Sequence, residues 1–186
     1  SKYPDGSIFQ GFGESPEGYA QFGYLGHNGW DILAYEGASI VACADGIIYQ
    51  VATVGDSEKT NLTKYNGNAL WLLTDEVDGK RLYIAYGHCK EVLVKEGQRV
   101  KAGEKIATMG NTGFVVSGGV SFWGNAPAGK GVHLHLSIYE VSVFGKDGVL
   151  LERMTRNLEL RNVRLHSDNA LYIAGYWGRF VRFGLA

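Results

Sequence analysis

Four of the chain's five histidines lie in three short motifs: H-N-G-W-D at 27–31, Y-G-H at 86–88 and H-L-H at 133–135. Zn²⁺ accepts imidazole and carboxylate ligands, and a catalytic zinc site keeps three protein ligands and one open position. His27, Asp31 and one of the pair His133/His135 supply such a set. Two histidines are then left over, the number a metal hydrolase uses for proton transfer and oxyanion stabilisation. The cofactor implied is one Zn²⁺ per chain.

The spacings bear on who does what. On a strand, residues two apart share a face. His133 and His135 therefore point one way, while Leu134 and Leu136 face the core. Side chains about 7 Å apart along one strand cannot both reach one small ion unless the strand bends, so one is a ligand and the other a neighbour. For H-N-G-W-D, an i,i+4 pair would share a helix face, but Gly26, Gly29 and the β-rich context favour a bend through Gly29. Asp31 as a ligand lowers the site's positive charge. The pKa of a metal-bound water then falls less, and a neighbouring imidazole base becomes useful. His88 follows a strand over Arg81–Tyr86, and Tyr86 shares its face if the strand persists. Tyr24 and Tyr19, just upstream of His27, are candidates for an oxyanion contact. Tyr24, Tyr86 and Asn111 are the candidate substrate contacts. His166, in R-L-H-S-D, has no partner motif and is expected on the surface.

These side chains need a β framework. Glycine is abundant at 27 residues, proline scarce at 3, and the aromatics comprise 11 Tyr, 8 Phe and 4 Trp. That combination reads as short strands joined by tight turns. Ala38–Cys43, Asp45-Gly46 and Ile47–Val54 form strand, turn, strand. Ala69–Thr74 and Arg81–Tyr86 flank Asp78-Gly79 as a hairpin. Val92–Val94, Val100 and Ile106–Met109 are short strands between glycine turns, and Val132–Val143 is one long strand. The tail adds Leu158–Leu165, Leu171–Ala174 and Phe180–Phe183. Helical turns are expected only within Val92–Lys95 and Leu150–Asn157. Asp56–Gly67 and Gly113–Gly131 are expected as long loops, a length usually tied to function.

At 186 residues and 45% apolar content, the chain suits one domain, 1–186, with a sizeable core. A net charge of −1 and the lack of a basic stretch exclude a nucleic-acid or anionic-membrane surface. No apolar run reaches 18 residues, so no membrane span is expected. Ser1–Ser7 carries no apolar secretory segment. Cys43 and Cys89 are too few for a disulfide framework and read as buried thiols, with a single disulfide as the lesser alternative.

The three motifs in this order resemble the LytM/lysostaphin-type zinc metallopeptidases, family M23, which cut peptide cross-links of bacterial peptidoglycan. V-K-E-G-Q-R-V-K-A-G-E-K-I-A-T-M-G-N-T-G at 94–113 and G-A-S-I-V-A-C-A-D-G-I-I at 37–48 are similar to connecting segments of that family. The resemblance covers about residues 8–143, with 144–186 as a C-terminal β extension. It implies that His27, Asp31 and His135 hold the zinc and that His133 and His88 are catalytic. The implied fold is all-β: an antiparallel sheet or sandwich of the duplicated hybrid motif type, floored by sheet and walled by loops that include Asp56–Gly67 and Gly113–Gly131. The implied substrate is a peptidoglycan peptide, acted on by a monomer at the cell surface, in the cell wall or in the periplasm. Leu136 and Ser137 follow H-L-H where the family often has an aromatic and an acidic or amide residue.

Two other classes compete. A non-catalytic LytM-like module would bind or activate another wall hydrolase; such modules lose ligands, whereas all five residues are kept here. A phosphocarrier or lipoyl-type carrier fits the G-x-x-V-x-A-G-x-x-I pattern at 97–106, but neither needs H-x-x-x-D.

Overall fold

The structure, a computed structural model, describes residues 5–76, 81–141, 143–144, 150–152, 156–157, 163–165, 170–174 and 180–184. Its first strands are β1 (Ile8–Gln10), β2 (Trp30–Ile32), β3 (Ser39–Val41), β4 (Gly46–Ala52), β5 (Asn68–Thr74) and β6 (Arg81–Val92). Next come β7 (Arg99–Val100), β8 (Lys105–Met109), β9 (Phe114–Ser117), β10 (Val120–Trp123) and β11 (Leu134–Val141). Short strands complete it: β12 (Val143–Phe144), β13 (Leu150–Glu152), β14 (Arg156–Asn157), β15 (Val163–Leu165), β16 (Ala170–Ala174) and β17 (Phe180–Gly184). The fold is all-β, and every described pairing between strands is antiparallel.

The main sheet runs β1-β2-β11-β6-β5-β4-β7, and β8 joins β6 to β3. Its inward face carries Ile32, Ile48, Leu70, Leu72, Ile84, Leu134, Leu136 and Ile138, all buried. Burying such a side chain contributes about 1.5–3 kcal/mol. A one-residue slip would turn that whole set outward, so the core fixes the register. The same register fixes which residues face out, namely His135, Ser137 and Tyr139 on β11 and Ala85 and Gly87 on β6. A second apolar cluster on the outer face, around Trp71, Leu73 and Tyr83, is covered in part by Leu62.

Several expectations need correction. The polar stretch at 57–66 is helical, with a 3₁₀ turn at Ser57–Lys59 running into a helix at Thr60–Asn66. Asp56 opens it by accepting a hydrogen bond from the Glu58 N–H, and Leu62 and Thr63 supply its inward side. A first helix, α1, spans Pro16–Ala20, with Pro16 in its first turn; the helix at Thr60–Asn66 is α2. The expected helical turns are absent among the described residues: Val92 ends β6, and Leu150–Glu152 and Arg156–Asn157 are strands. Gly113–Gly131 is not a plain loop. Its first half is the hairpin β9–β10, turned through Gly118-Gly119, both at positive φ. The Asp78-Gly79 turn and His166 lie outside the described residues.

Four aromatic rings lock the walls together. Phe22, just after α1, meets Tyr65 of α2 at 5.9 Å and Phe114 of β9 at 5.7 Å. Trp123 of β10 meets Phe114 at 4.2 Å and Tyr65 at 5.7 Å. Lys64 lies near the Tyr65 and Trp123 rings, at 5.4 and 5.6 Å.

Candidate metal centre

β11 lies between β2 and β6, and this placement builds the site. His135 pairs with Asp31 of β2 on one side and Gly87 of β6 on the other. Cross-strand partners have Cβ atoms about 4.5–5.5 Å apart, so the carboxylate and the imidazole are neighbours by register. His27 joins them from the preceding turn, held by His27 N–H to the Glu14 carbonyl and Gly13 N–H to the His27 carbonyl, both 2.8 Å. Gly29 does not supply a left-handed bend; it supplies space. A Cβ there would sit 2.6 Å from the Leu136 carbonyl oxygen and 2.8 Å from both His135 Nε2 and Ser137 Oγ.

Hydrogen bonds to oxygen fix where each imidazole carries its proton. His27 Nδ1–H donates to the Gly11 carbonyl at 3.2 Å. The Ser137 hydroxyl donates to the Asn28 carbonyl, so its oxygen accepts from His135 Nε2–H at 2.9 Å. Both rings therefore present a bare nitrogen inward. His27 Nε2 and His135 Nδ1 are 3.0 Å apart. Asp31 Oδ1 lies 3.2 Å from the first and 3.0 Å from the second. Burial opposes the Asp31 charge, but the surrounding imidazoles, His133 foremost, outweigh it and hold the carboxyl well below its usual range.

Three lone-pair donors, one of them anionic, thus converge with no proton between them. His27 and Asp31 are buried, so water does not relieve the repulsion; a cation does. Tetrahedral Zn²⁺ with ligands at about 2.0–2.1 Å separates them by roughly 3.3 Å, close to the observed triangle. The residues present fit the metal.

His133 and His88 stand beside this triangle. His133 Nδ1–H donates to the Gly131 carbonyl at 2.8 Å, and its Nε2 lies 3.6 Å from Asp31 Oδ1. His88 Nδ1–H donates to the Thr112 carbonyl at 2.8 Å. The two rings are 4.5 Å apart. Burial, then the charges of His133 and His135, push His88 well below the usual histidine range, so it is a neutral base at physiological pH. Burial also lowers His135.

The remaining candidates fare unequally. Tyr24 is half exposed and lines a trough beside His135. Tyr86 is not available to a substrate: its ring is buried in the core, and its hydroxyl meets the Cys43 N–H and donates to Cys43 Sγ. The strand does persist past Tyr86, but His88 has φ 60° and the ladder shifts register around it. Two neighbours, Gly87 and His88, thus sit on the site side while Tyr86 and Cys89 face in. Asn111 is also spoken for, its amide donating to the Pro127 and Lys130 carbonyls. The Tyr19 ring lies 5.2 Å from His27 and its hydroxyl donates to Gln10; burial and the Asp31 charge raise its pKa. Cys43 and Cys89 are free and buried.

Sequence reasoning missed the oxygens that set the tautomers: Gly11, Thr112, Gly131 and the Ser137 hydroxyl. Three are main-chain carbonyls with no side-chain signature. Ser137 was visible as a departure from family habit, yet it fills the supporting role itself.

An antiparallel sheet brings two imidazoles and a carboxylate to one point, with two more imidazoles alongside, an arrangement that could hold a metal ion. The model of peptidase family M23 matches residues 25–146, and the chain belongs to that family. Among curated relatives, the murein hydrolase activator NlpD of Salmonella dublin is 37% identical over 110 residues, covering 59% of this chain and 24% of its own. The peptidoglycan DD-endopeptidase ShyC of Vibrio cholerae is 36% identical over 90 residues, covering 48% and 18%. The chain therefore spans about a quarter or less of the length of these relatives. Among solved structures, LytU aligns at TM-score 0.50 and 24% identity over 80% of this chain and 82% of its own. Lysostaphin from Staphylococcus simulans aligns at TM-score 0.50 and 22% identity over 89% and 60%. Both share the fold.

Proposed function

We propose that the chain is a zinc-dependent endopeptidase that hydrolyses peptide cross-links of peptidoglycan. The observation that carries this is the converging triangle of His27 Nε2, His135 Nδ1 and Asp31 Oδ1, each 3.0–3.2 Å from the others. These three residues hold the metal. Zinc, when bound, supplies Lewis acidity toward the scissile carbonyl and a water of lowered pKa. His133 and His88 each keep a basic Nε2, because Nδ1–H is tied to a main-chain carbonyl. One of them takes the proton of the attacking water. The imidazolium formed then donates, first toward the developing oxyanion and then to the leaving amine. With their rings only 4.5 Å apart, the pair carries one proton at a time. We infer a site of action in the cell wall or periplasm, a reading supported by relatives named for peptidoglycan.

A second role, activation of another wall hydrolase, is favoured by the similarity to NlpD, named as a murein hydrolase activator. Digestion of purified peptidoglycans of several cross-link types, with mass analysis of the fragments before and after chelation, separates the two. The peptidase yields new peptide termini that chelation abolishes. An activator yields none alone, and its stimulation of a second hydrolase survives His88→Ala.

A further inference from the structure

His133 lies just ahead of β11 and His88 lies within β6, yet one short segment supports both. It is Gly110–Gly113, which joins β8 to β9. The Gly110 carbonyl accepts the His133 N–H at 3.2 Å. Two residues on, the Thr112 carbonyl accepts the His88 Nδ1–H at 2.8 Å. The backbone of this segment therefore reaches both histidines, and two of its side chains hold the surroundings in place.

Asn111 directs both protons of its amide to one turn, donating to the Pro127 carbonyl at 3.0 Å and to the Lys130 carbonyl at 2.9 Å. The turn closes with the Lys130 N–H on the Pro127 carbonyl at 3.0 Å. All four of its residues are exposed, so hydrogen bonds rather than packing hold it. Glu36 pins its middle by accepting the Gly129 N–H at 2.9 Å, whereas Asn111 ties both ends. The next residue is Gly131, whose carbonyl accepts the His133 Nδ1–H at 2.8 Å. Thr112 serves the other histidine. Its hydroxyl donates to the Cys89 carbonyl at 2.8 Å and accepts the Asn68 N–H at 2.9 Å. It thus ties the residue after His88 to the segment whose carbonyl receives the His88 ring. His88 itself has φ 60°, a conformation that side-chain-bearing residues rarely adopt.

We propose that Asn111 and Thr112 are positioning residues that fix which nitrogen of His133 and of His88 carries the proton. Asn111 acts through the Pro127–Lys130 turn and Thr112 through the Cys89 carbonyl. The inference rests on the peptidase reading above, in which both histidines present a bare Nε2. Without Asn111, the Gly131 carbonyl drifts from the His133 ring. The ring is then free to carry its proton on Nε2, which leaves no lone pair there for the attacking water. Without the Thr112 hydroxyl, the His88 backbone and the Thr112 carbonyl part, with the same consequence at His88.

The test is nitrogen NMR of zinc-loaded protein carrying isotope-labelled histidine at about pH 8, above the ordinary histidine range. Spectra of His88→Ala and His133→Ala assign the two signals, and zinc Kd and steady-state cleavage of peptidoglycan peptides are measured beside them. Wild type should show Nδ1–H and bare Nε2 at both rings. Asn111→Ala should move His133 to a mixture of tautomers and leave His88 unchanged. Asn111→Asp, nearly the same shape without the donors, should do the same. Thr112→Val should change His88 alone, and Thr112→Ser, which keeps the hydroxyl, should restore the wild-type spectrum. In Asn111→Ala and Thr112→Val, kcat should fall by up to about 10²-fold, the cost of a small misplacement of a reacting group, with KM and zinc Kd unchanged. A wild-type tautomer at His133 in Asn111→Ala, or at His88 in Thr112→Val, would overturn the role of that residue. So would a change at both rings in either variant, the mark of general loosening. Tautomers that respond as stated in a protein that cuts nothing would uphold the positioning and refute the peptidase reading.

Discussion

Ser137→Ala should weaken zinc binding more than it weakens chemistry. The Ser137 hydroxyl is the acceptor for His135 Nε2–H at 2.9 Å and is anchored by its own bond to the Asn28 carbonyl. Ser137 is only 2% exposed, so bulk water does not replace the lost oxygen. The His135 N–H loses its partner, which costs about 1–3 kcal/mol. The ring is also freed to swap its proton to Nδ1, the nitrogen that faces Asp31 and His27. Loss of such a supporting contact lowers metal affinity about 10–100-fold, or roughly 1.4–2.7 kcal/mol. Competition against a chromophoric zinc chelator reads the Kd directly. Turnover at saturating zinc should recover most of the wild-type rate. An unchanged Kd would show that the Ser137 hydroxyl does not set the His135 tautomer, and the proton assignment behind the site would fall.

Other outcomes follow from the same geometry. His88→Ala should keep one zinc equivalent yet lose about 10²–10⁴-fold in turnover, checked by metal analysis beside peptidoglycan digestion; retained activity removes His88 from proton transfer. Burial pushes the Cys43 and Cys89 thiols up to about 12 from an unfolded value near 9. They should resist a thiol reagent at pH 8 until the protein unfolds. Their neutral burial stabilises fully below pH 9 and is lost as pH rises toward 12, so Tm should drop across that window. Trp123→Ala removes the Trp123 contacts with Phe114 and Tyr65, each worth about 0.5–1.5 kcal/mol. It should raise protease sensitivity at 57–66 and 114–123 with zinc still bound, a result limited proteolysis checks.

The three histidine motifs were legible because imidazole and carboxylate are rare enough to stand out, and because H-L-H needs only strand alternation to aim both rings one way. The strands around them were legible too, since Leu70, Leu72, Ile84 and Leu136 each sit in a β-rich run whose alternate residues enter the main core. Tyr86 was misplaced because alternation fails at His88, whose left-handed backbone no pattern of residue types announces. α2 hid in a polar stretch because its inward side rests on little more than Leu62 and Thr63. The β9–β10 hairpin hid among glycines, whose positive φ at Gly118 and Gly119 makes the turn that the sequence reads as looseness. The main-chain carbonyls that fix the protons of His27, His88 and His133 have no signature in a sequence at all.

X-ray absorption of the protein loaded with one zinc equivalent tests the central claim most directly. Two imidazole nitrogens and two oxygens at about 2.0–2.2 Å, with the carboxylate contribution lost in Asp31→Ala, are the expected shell. A sulfur shell near 2.3 Å, a third imidazole, or a spectrum unchanged by Asp31→Ala would contradict it.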